Sequence, residues 1–253
     1  MPSPQVLISL GAFGAAEVRR HGQCWFTELA AEAGADGVEV RGELLADPAR
    51  ELPALATLTA ACRLARVYSS PQGLWQADGS LAVAALERAL DHARLLGAPR
   101  LKMSIGGYAG RGLGALADRL GDTPIELLIE NDQTESAGTL PALRRFCSDA
   151  RDAGLPLPLT FDMGNWHWLG EDPLQAAQAL APQVGYVHCK GVHRRQDRWV
   201  AVPLLESAAP WRAVLRALPP EVPRAIEYPL QGDDLKAVTR AEIALLRRVE
   251  TQA

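Results

Sequence analysis

Eight short apolar runs, each separated from the next by a longer stretch, limit what this sequence can fold into. They are Val6–Leu10, Gly37–Arg41, Ala65–Ser69, Arg100–Ser104, Ile125–Glu130, Leu159–Asp162, Gly185–Lys190 and Arg224–Tyr228. Apolar runs of this length suit strands buried on both faces. Between them lie segments with helical spacing, such as Leu81–Leu96, Leu140–Ala153 and Leu235–Val249. In the last of these, Leu235, Val238, Ile243, Leu245, Leu246 and Val249 line one broad face. Eight strand–helix units without a linker predict an α/β fold, a parallel (β/α)8 barrel forming one domain over residues 1–253. An open doubly wound sheet is the alternative. It typically has fewer strands and a Gly-x-Gly-x-x-Gly turn after the first, where this chain has Gly-Ala-Phe-Gly at Gly11–Gly14.

The polar residues of these strands gather where the strands end. The fifth run closes on Glu130-Asn131-Asp132 and the sixth on Asp162-Met163-Gly164-Asn165. The seventh carries His188 and Lys190, and the eighth carries Glu227. In a barrel the carboxyl ends of the strands form the catalytic face. Four consecutive strands therefore aim Glu130, Asp162, His188 and Glu227 at one mouth. Three crowded carboxylates repel one another unless a cation neutralises them. Oxygen-rich ligation with one imidazole suits Mn²⁺ or Mg²⁺, with Co²⁺ and Zn²⁺ as alternatives. Alternation along the seventh strand points Tyr186, His188 and Lys190 into the barrel and Cys189 outward.

Other features narrow the function. A net charge of −4 argues against a dedicated nucleic-acid binder. The four cysteines form no Cys-x-x-Cys pair, which speaks against a zinc ribbon and for a reducing, cytoplasmic setting. Met1 to Glu17 lacks the basic n-region of a secretory signal, and no run of 18 apolar residues offers a membrane span. A homo-oligomer is compatible with the sequence.

The strand-end motifs carry a family resemblance. Gly37-Val38-Glu39-Val40-Arg41, Ile129-Glu130-Asn131, Phe161-Asp162-Met163-Gly164-Asn165, Val187-His188-Cys189-Lys190 and Ile226-Glu227-Tyr228 resemble the xylose isomerase-like TIM-barrel superfamily of sugar isomerases and epimerases. In that superfamily's ketose epimerases the matching Glu, Asp, His and Glu hold a metal, and the two glutamates exchange protons with the substrate. The resemblance thus implies catalytic roles for Glu130 and Glu227, and Arg194 matches an epimerase Arg six residues after the His ligand. Three positions depart from the epimerase pattern. Ser136 stands where a substrate-contacting Glu is expected, with Glu135 beside it. Asn165 stands where His is common, and Pro203–Trp211 replaces a Gly-rich segment. Glu130-Asn131-Asp132-Gln133-Thr134, Gly164-Asn165-Trp166 and the run Glu227 to Asp234 look like epimerase-like proteins of bacterial 2-ketogluconate utilisation. Endonuclease IV-like members need further histidines for three zinc ions. This chain has only five histidines in all, too few of them at strand ends.

The expected activity is metal-dependent isomerisation or epimerisation of a sugar or keto-sugar acid through an enediolate. A lyase of the inosose- or dehydroshikimate-dehydratase kind, or a sugar-binding barrel without turnover, are the alternatives. Lys102, Lys190 and Arg194, joined by Arg41, either bind an anionic substrate or balance Glu39, Glu135 and the ligand carboxylates. Asn165 and His167 are expected to face the substrate, and Trp166, His167 and Trp168 form an aromatic wall or pack inward. Glu39 is expected behind the ligands or in an interior salt bridge. Arg194-Arg195-Gln196-Asp197-Arg198 is expected to tip a hairpin with Trp199–Val202 as its returning strand, and Asp233-Asp234 to cap the last helix.

Overall fold

The alternation resolves into a closed ring of parallel strands in a computed structural model that describes residues 4–249. The two ends of the expected domain, residues 1–3 and 250–253, lie outside the described residues. In chain order the strands are β1 (Val6–Ser9), β2 (Gly37–Arg41), β3 (Ala65–Ser69), β4 (Arg100–Ser104) and β5 (Glu126–Glu130). Then follow β6 (Leu159–Asp162), β7 (Val184–Cys189), β8 (Gly191–Arg195), β9 (Arg198–Val202) and β10 (Arg224–Ile226). The ring runs β1-β2-β3-β4-β5-β6-β7-β10 and closes back on β1. β8 and β9 stand outside it as an antiparallel hairpin.

Helices cover the outside of the ring because the outward strand residues and the inward helix faces are both apolar. Leu86, Leu90, Ala93 and Leu96 of the helix Val83–Leu96 are buried, as are Leu143, Phe146 and Ala150 of Leu140–Asp152. Inside the ring, Leu7, Val67, Leu128 and Tyr186 form an apolar layer with Ala225. The first four come from β1, β3, β5 and β7, the alternate-strand layering of a filled barrel. This layer is a floor, and the inward residues above it are polar. Gly37 is required where β1, β2 and β3 meet, since a Cβ there would come within 2.6 Å of the Ala65 carbonyl and 2.9 Å of Leu7.

Some boundaries differ from the sequence reading. β1 stops at Ser9, because Leu10–Phe13 winds into a 3-10 turn. β10 ends at Ile226, where its pairing with Ile8 of β1 and Cys189 of β7 stops, and Glu227 lies one residue beyond the strand. The Glu227 N–H still donates to the Cys189 carbonyl at 3.0 Å, so the side chain keeps its place in the ring. The hairpin turns at Gln196, whose φ is +53°, and returns from Arg198. Asp234 caps Leu235–Arg248, its side chain accepting from Ala237 N at 2.9 Å. Among the described residues no helix is long and apolar enough to cross a membrane.

Candidate metal centre

β5, β6, β7 and the residue after β10 bring Glu130, Asp162, His188 and Glu227 together. One ligand atom from each lies within 4.8 Å of all the others. His188 Nδ1 is the centre of the group, 2.9 Å from Glu130 Oε1, 3.0 Å from Glu227 Oε2 and 3.9 Å from Asp162 Oδ2. Three carboxylates and one imidazole form an oxygen-rich donor set that fits a single divalent cation. Exposure divides the four. Asp162 and His188 side chains are 0% exposed, whereas Glu130 and Glu227 retain 16% and 12% at the mouth.

Asp162 is clamped by its own turn. Its Oδ1 accepts from Gly164 N at 2.8 Å and Asn165 N at 3.0 Å, which leaves Oδ2 for the site. Asn131 straps the same strand end: its amide donates to the Asp162 carbonyl at 3.0 Å and its oxygen accepts from Asp162 N at 2.7 Å. Asn165 in turn donates to the Asn131 carbonyl at 2.8 Å. Asn131 was visible in the sequence only as part of a motif. Its signal is an amide directly after a strand-end ligand, where two backbone groups of adjacent strands need partners.

Each carboxylate of the group has at least one cation beside it. Lys102 donates to Glu130 Oε2 at 2.7 Å. Lys190 lies 2.6 Å from Asp162 Oδ2 and 2.8 Å from Glu227 Oε2. Arg41 pairs with Glu227. Burial pushes the Glu130 carboxyl up, but Lys102 and His188 outweigh it and hold the group at about 2. Asp162 goes the other way: burial, with Glu227 and Glu130 beside it, overrides Lys190 and raises it to about 6. Burial also disfavours protonated His188, yet the Glu227 and Glu39 carboxylates raise it well above the usual imidazole range.

Of the two roles open to the basic residues, charge balance has direct contacts. Lys102, Lys190 and Arg41 reach carboxylates of the site or Glu39; Glu135 takes no part, sitting exposed at the start of a short helix. Arg194 is exposed on β8, apart from this network. Asn165 Oδ1 accepts from Lys190 at 3.2 Å and from Gln133 at 3.0 Å. Trp166 is fully buried and packs on Phe161, while half-buried His167 lies against Trp199 of the hairpin with ring centroids 4.9 Å apart. Cys189 is buried in the layer between strands and helices, facing away from the site. Sequence pattern had no means of showing that Gly164 makes room for Lys190. A Cβ at Gly164 would come 2.7 Å from Lys190 Cδ and 2.8 Å from its Cγ.

No curated protein matches the chain. Solved structures resemble it in fold. The probable 3-DHS dehydratase AsbF of Bacillus anthracis aligns with a TM-score of 0.70 at 15% identity, covering 96% of this chain and 98% of its own. L-ribulose 3-epimerase gives 0.65 at 17% identity, covering 98% and 97%. The 3-keto-D-glucoside 4-epimerase YcjR of E. coli gives 0.66 at 16% identity, covering 97% and 99%. The model of the xylose isomerase-like TIM-barrel family matches residues 27–249, which include all four residues of the candidate metal centre. The chain belongs to the xylose isomerase-like TIM-barrel family.

Proposed function

We propose that the protein is a divalent-metal-dependent isomerase or epimerase acting on a sugar or keto-sugar acid. The observation that carries this reading is the division within the metal centre. Asp162 and His188 are sealed, while the two glutamates keep an open edge at the mouth. A ligand group that also meets the substrate has to be reachable from it. In this reading Glu130 removes a proton from the carbon next to the substrate carbonyl, and Glu227 returns one, or the reverse. A divalent ion, Mn²⁺ or Mg²⁺ on the donor set, with Co²⁺ or Zn²⁺ as alternatives, would stabilise the enediolate's negative charge. Lys102 and Arg41 keep the two glutamates ionised and fix their side chains. In the same reading Lys190, where a substrate carboxylate displaces Asp162 or Glu227 from it, and Arg194 on the hairpin supply positive charge for that carboxylate, with Asn165 and His167 as further substrate contacts. The epimerases among the similar folds support sugar or keto-sugar epimerisation; the acid group rests on the resemblance to 2-ketogluconate-utilisation proteins alone. We take residues 1–253 as one domain acting in the cytoplasm, a setting suited to cysteines that form no disulfide.

The test is a panel of keto-sugars and sugar acids with Mn²⁺ in D₂O, with products identified by NMR. Turnover should place deuterium at the reacting carbon. Glu130→Gln and Glu227→Gln should each lose at least about 100-fold in kcat. Release of water with an unsaturated or deoxy-keto product would establish a lyase instead, the reaction class of the probable dehydratase AsbF. Binding without any conversion would leave a sugar-binding barrel.

A further inference from the structure

Glu39 holds no place in the metal centre, yet it is completely buried directly behind it. Its Oε2 lies 2.7 Å from His188 Nε2, on the side of the imidazole opposite the three ligand carboxylates. Its other oxygen, Oε1, is near three donors: Lys102 Nζ at 3.5 Å, Arg41 Nη1 at 3.4 Å and Ser9 Oγ at 3.5 Å. That arrangement fixes the carboxylate and leaves Oε2 for the ring. The Tyr186 ring meets His188 edge-on, with centroids 5.3 Å apart, and closes off the remaining freedom from the floor of the barrel.

We infer that Glu39 is the positioning residue of the metal centre: it accepts the Nε2 proton of His188 and thereby commits Nδ1 to the metal. The inference rests on the metal reading above. A neutral imidazole has one nitrogen that donates and one that accepts, and the partner of the first decides the role of the second. With Nε2–H held by a carboxylate, the Nδ1 lone pair points where Glu130, Asp162 and Glu227 converge. The anionic acceptor also makes Nδ1 a stronger donor. Arg41 and Lys102 extend the arrangement. Each bridges Glu39 to one of the two glutamates, Arg41 to Glu227 and Lys102 to Glu130. One buried carboxylate therefore sets the imidazole and anchors both cations that keep the glutamates ionised.

Long-range ¹H–¹⁵N NMR of the full chain with Zn²⁺ reads the tautomer directly. His188 should carry its proton on Nε2, with Nδ1 shifted by the ion. Mn²⁺ titration of the variants reads the energetic consequence. Glu39→Gln keeps an acceptor but loses the charge, and should weaken Mn²⁺ binding about tenfold. Glu39→Leu removes both, and should weaken it toward about 100-fold, the range for partners of ligating histidines. If the leucine variant does not fold, the glutamine variant and the wild-type tautomer still decide. A filler role would lower the melting temperature of the metal-free variants and leave Mn²⁺ affinity within twofold of wild type in Glu39→Gln. That result overturns the inference alone, whereas a proton found on Nδ1 with Zn²⁺ bound overturns both the inference and the place of His188 among the ligands. Wild-type protein that binds no Mn²⁺ overturns the metal reading and this inference with it.

Discussion

Protons and a divalent ion would compete for the same buried groups at the candidate site. Metal binding needs neutral His188 and ionised Asp162. Burial disfavours a charged His188, but Glu227 and Glu39 win and keep its proton on well above the usual range. Burial, Glu227 and Glu130 keep a proton on Asp162 up to about 6. One proton must therefore leave His188 when metal binds near neutral pH, and a second must leave Asp162 at lower pH. Apparent Mn²⁺ affinity should rise with pH by about tenfold per unit above about 6, and by about 100-fold per unit below it. Calorimetric titrations in buffers of different ionisation enthalpy count the protons released. An affinity that does not change with pH would show that neither group is a ligand. Gly164 offers a second test at this scale. Its φ is ordinary at −87°, so the need for glycine is steric and comes from the Lys190 stem. Gly164→Ala should displace Lys190 from Asp162 and cost about 1–3 kcal/mol of stability, the usual range for overpacking. Thermal and urea unfolding measure it, and an unchanged midpoint would show that the turn yields instead.

At the scale of elements, the β8–β9 hairpin is the part added to the plain barrel. It leaves the ring immediately after Lys190 and returns beside the segment Asn165–Leu169, where Trp199 meets His167. Ser207 ties its base, accepting from Val192 N at 3.0 Å and Ala209 N at 3.2 Å. Trp199→Ala should loosen the hairpin without unfolding the barrel, raising KM for the substrate more than it lowers kcat and speeding proteolysis near Arg198. Limited proteolysis with mass spectrometry locates the cut, and an unchanged pattern would mean that Trp199 does not hold the hairpin down. The hairpin was legible as an Arg-rich turn with an apolar returning strand. Its packing on His167 was not, because a contact between residues 32 positions apart in different loops leaves no periodicity. The end of β10 was also hidden, since it depends on where its pairing with β1 and β7 stops.

For the whole molecule, strand order followed from alternation, because parallel neighbours with a helix between them have few ways to close. All four residues of the candidate metal centre were legible for the same reason: each lies at or beside the end of a strand, and a barrel sends those ends to one face. What pattern could not supply was pairing. Lys102 with Glu130, Arg41 with Glu227 and Glu39 with His188 join residues up to 186 positions apart, and only the closed ring sets their distances. The central claim is that Glu130, Asp162, His188 and Glu227 hold one divalent ion between them. Mn²⁺ stoichiometry and affinity, measured on the wild-type chain and on Glu130→Ala, Asp162→Ala, His188→Ala and Glu227→Ala, test it most directly. One ion per wild-type chain is expected, with loss of stoichiometric binding in every variant that remains folded by circular dichroism. Stoichiometric Mn²⁺ retained in all four folded variants would contradict it.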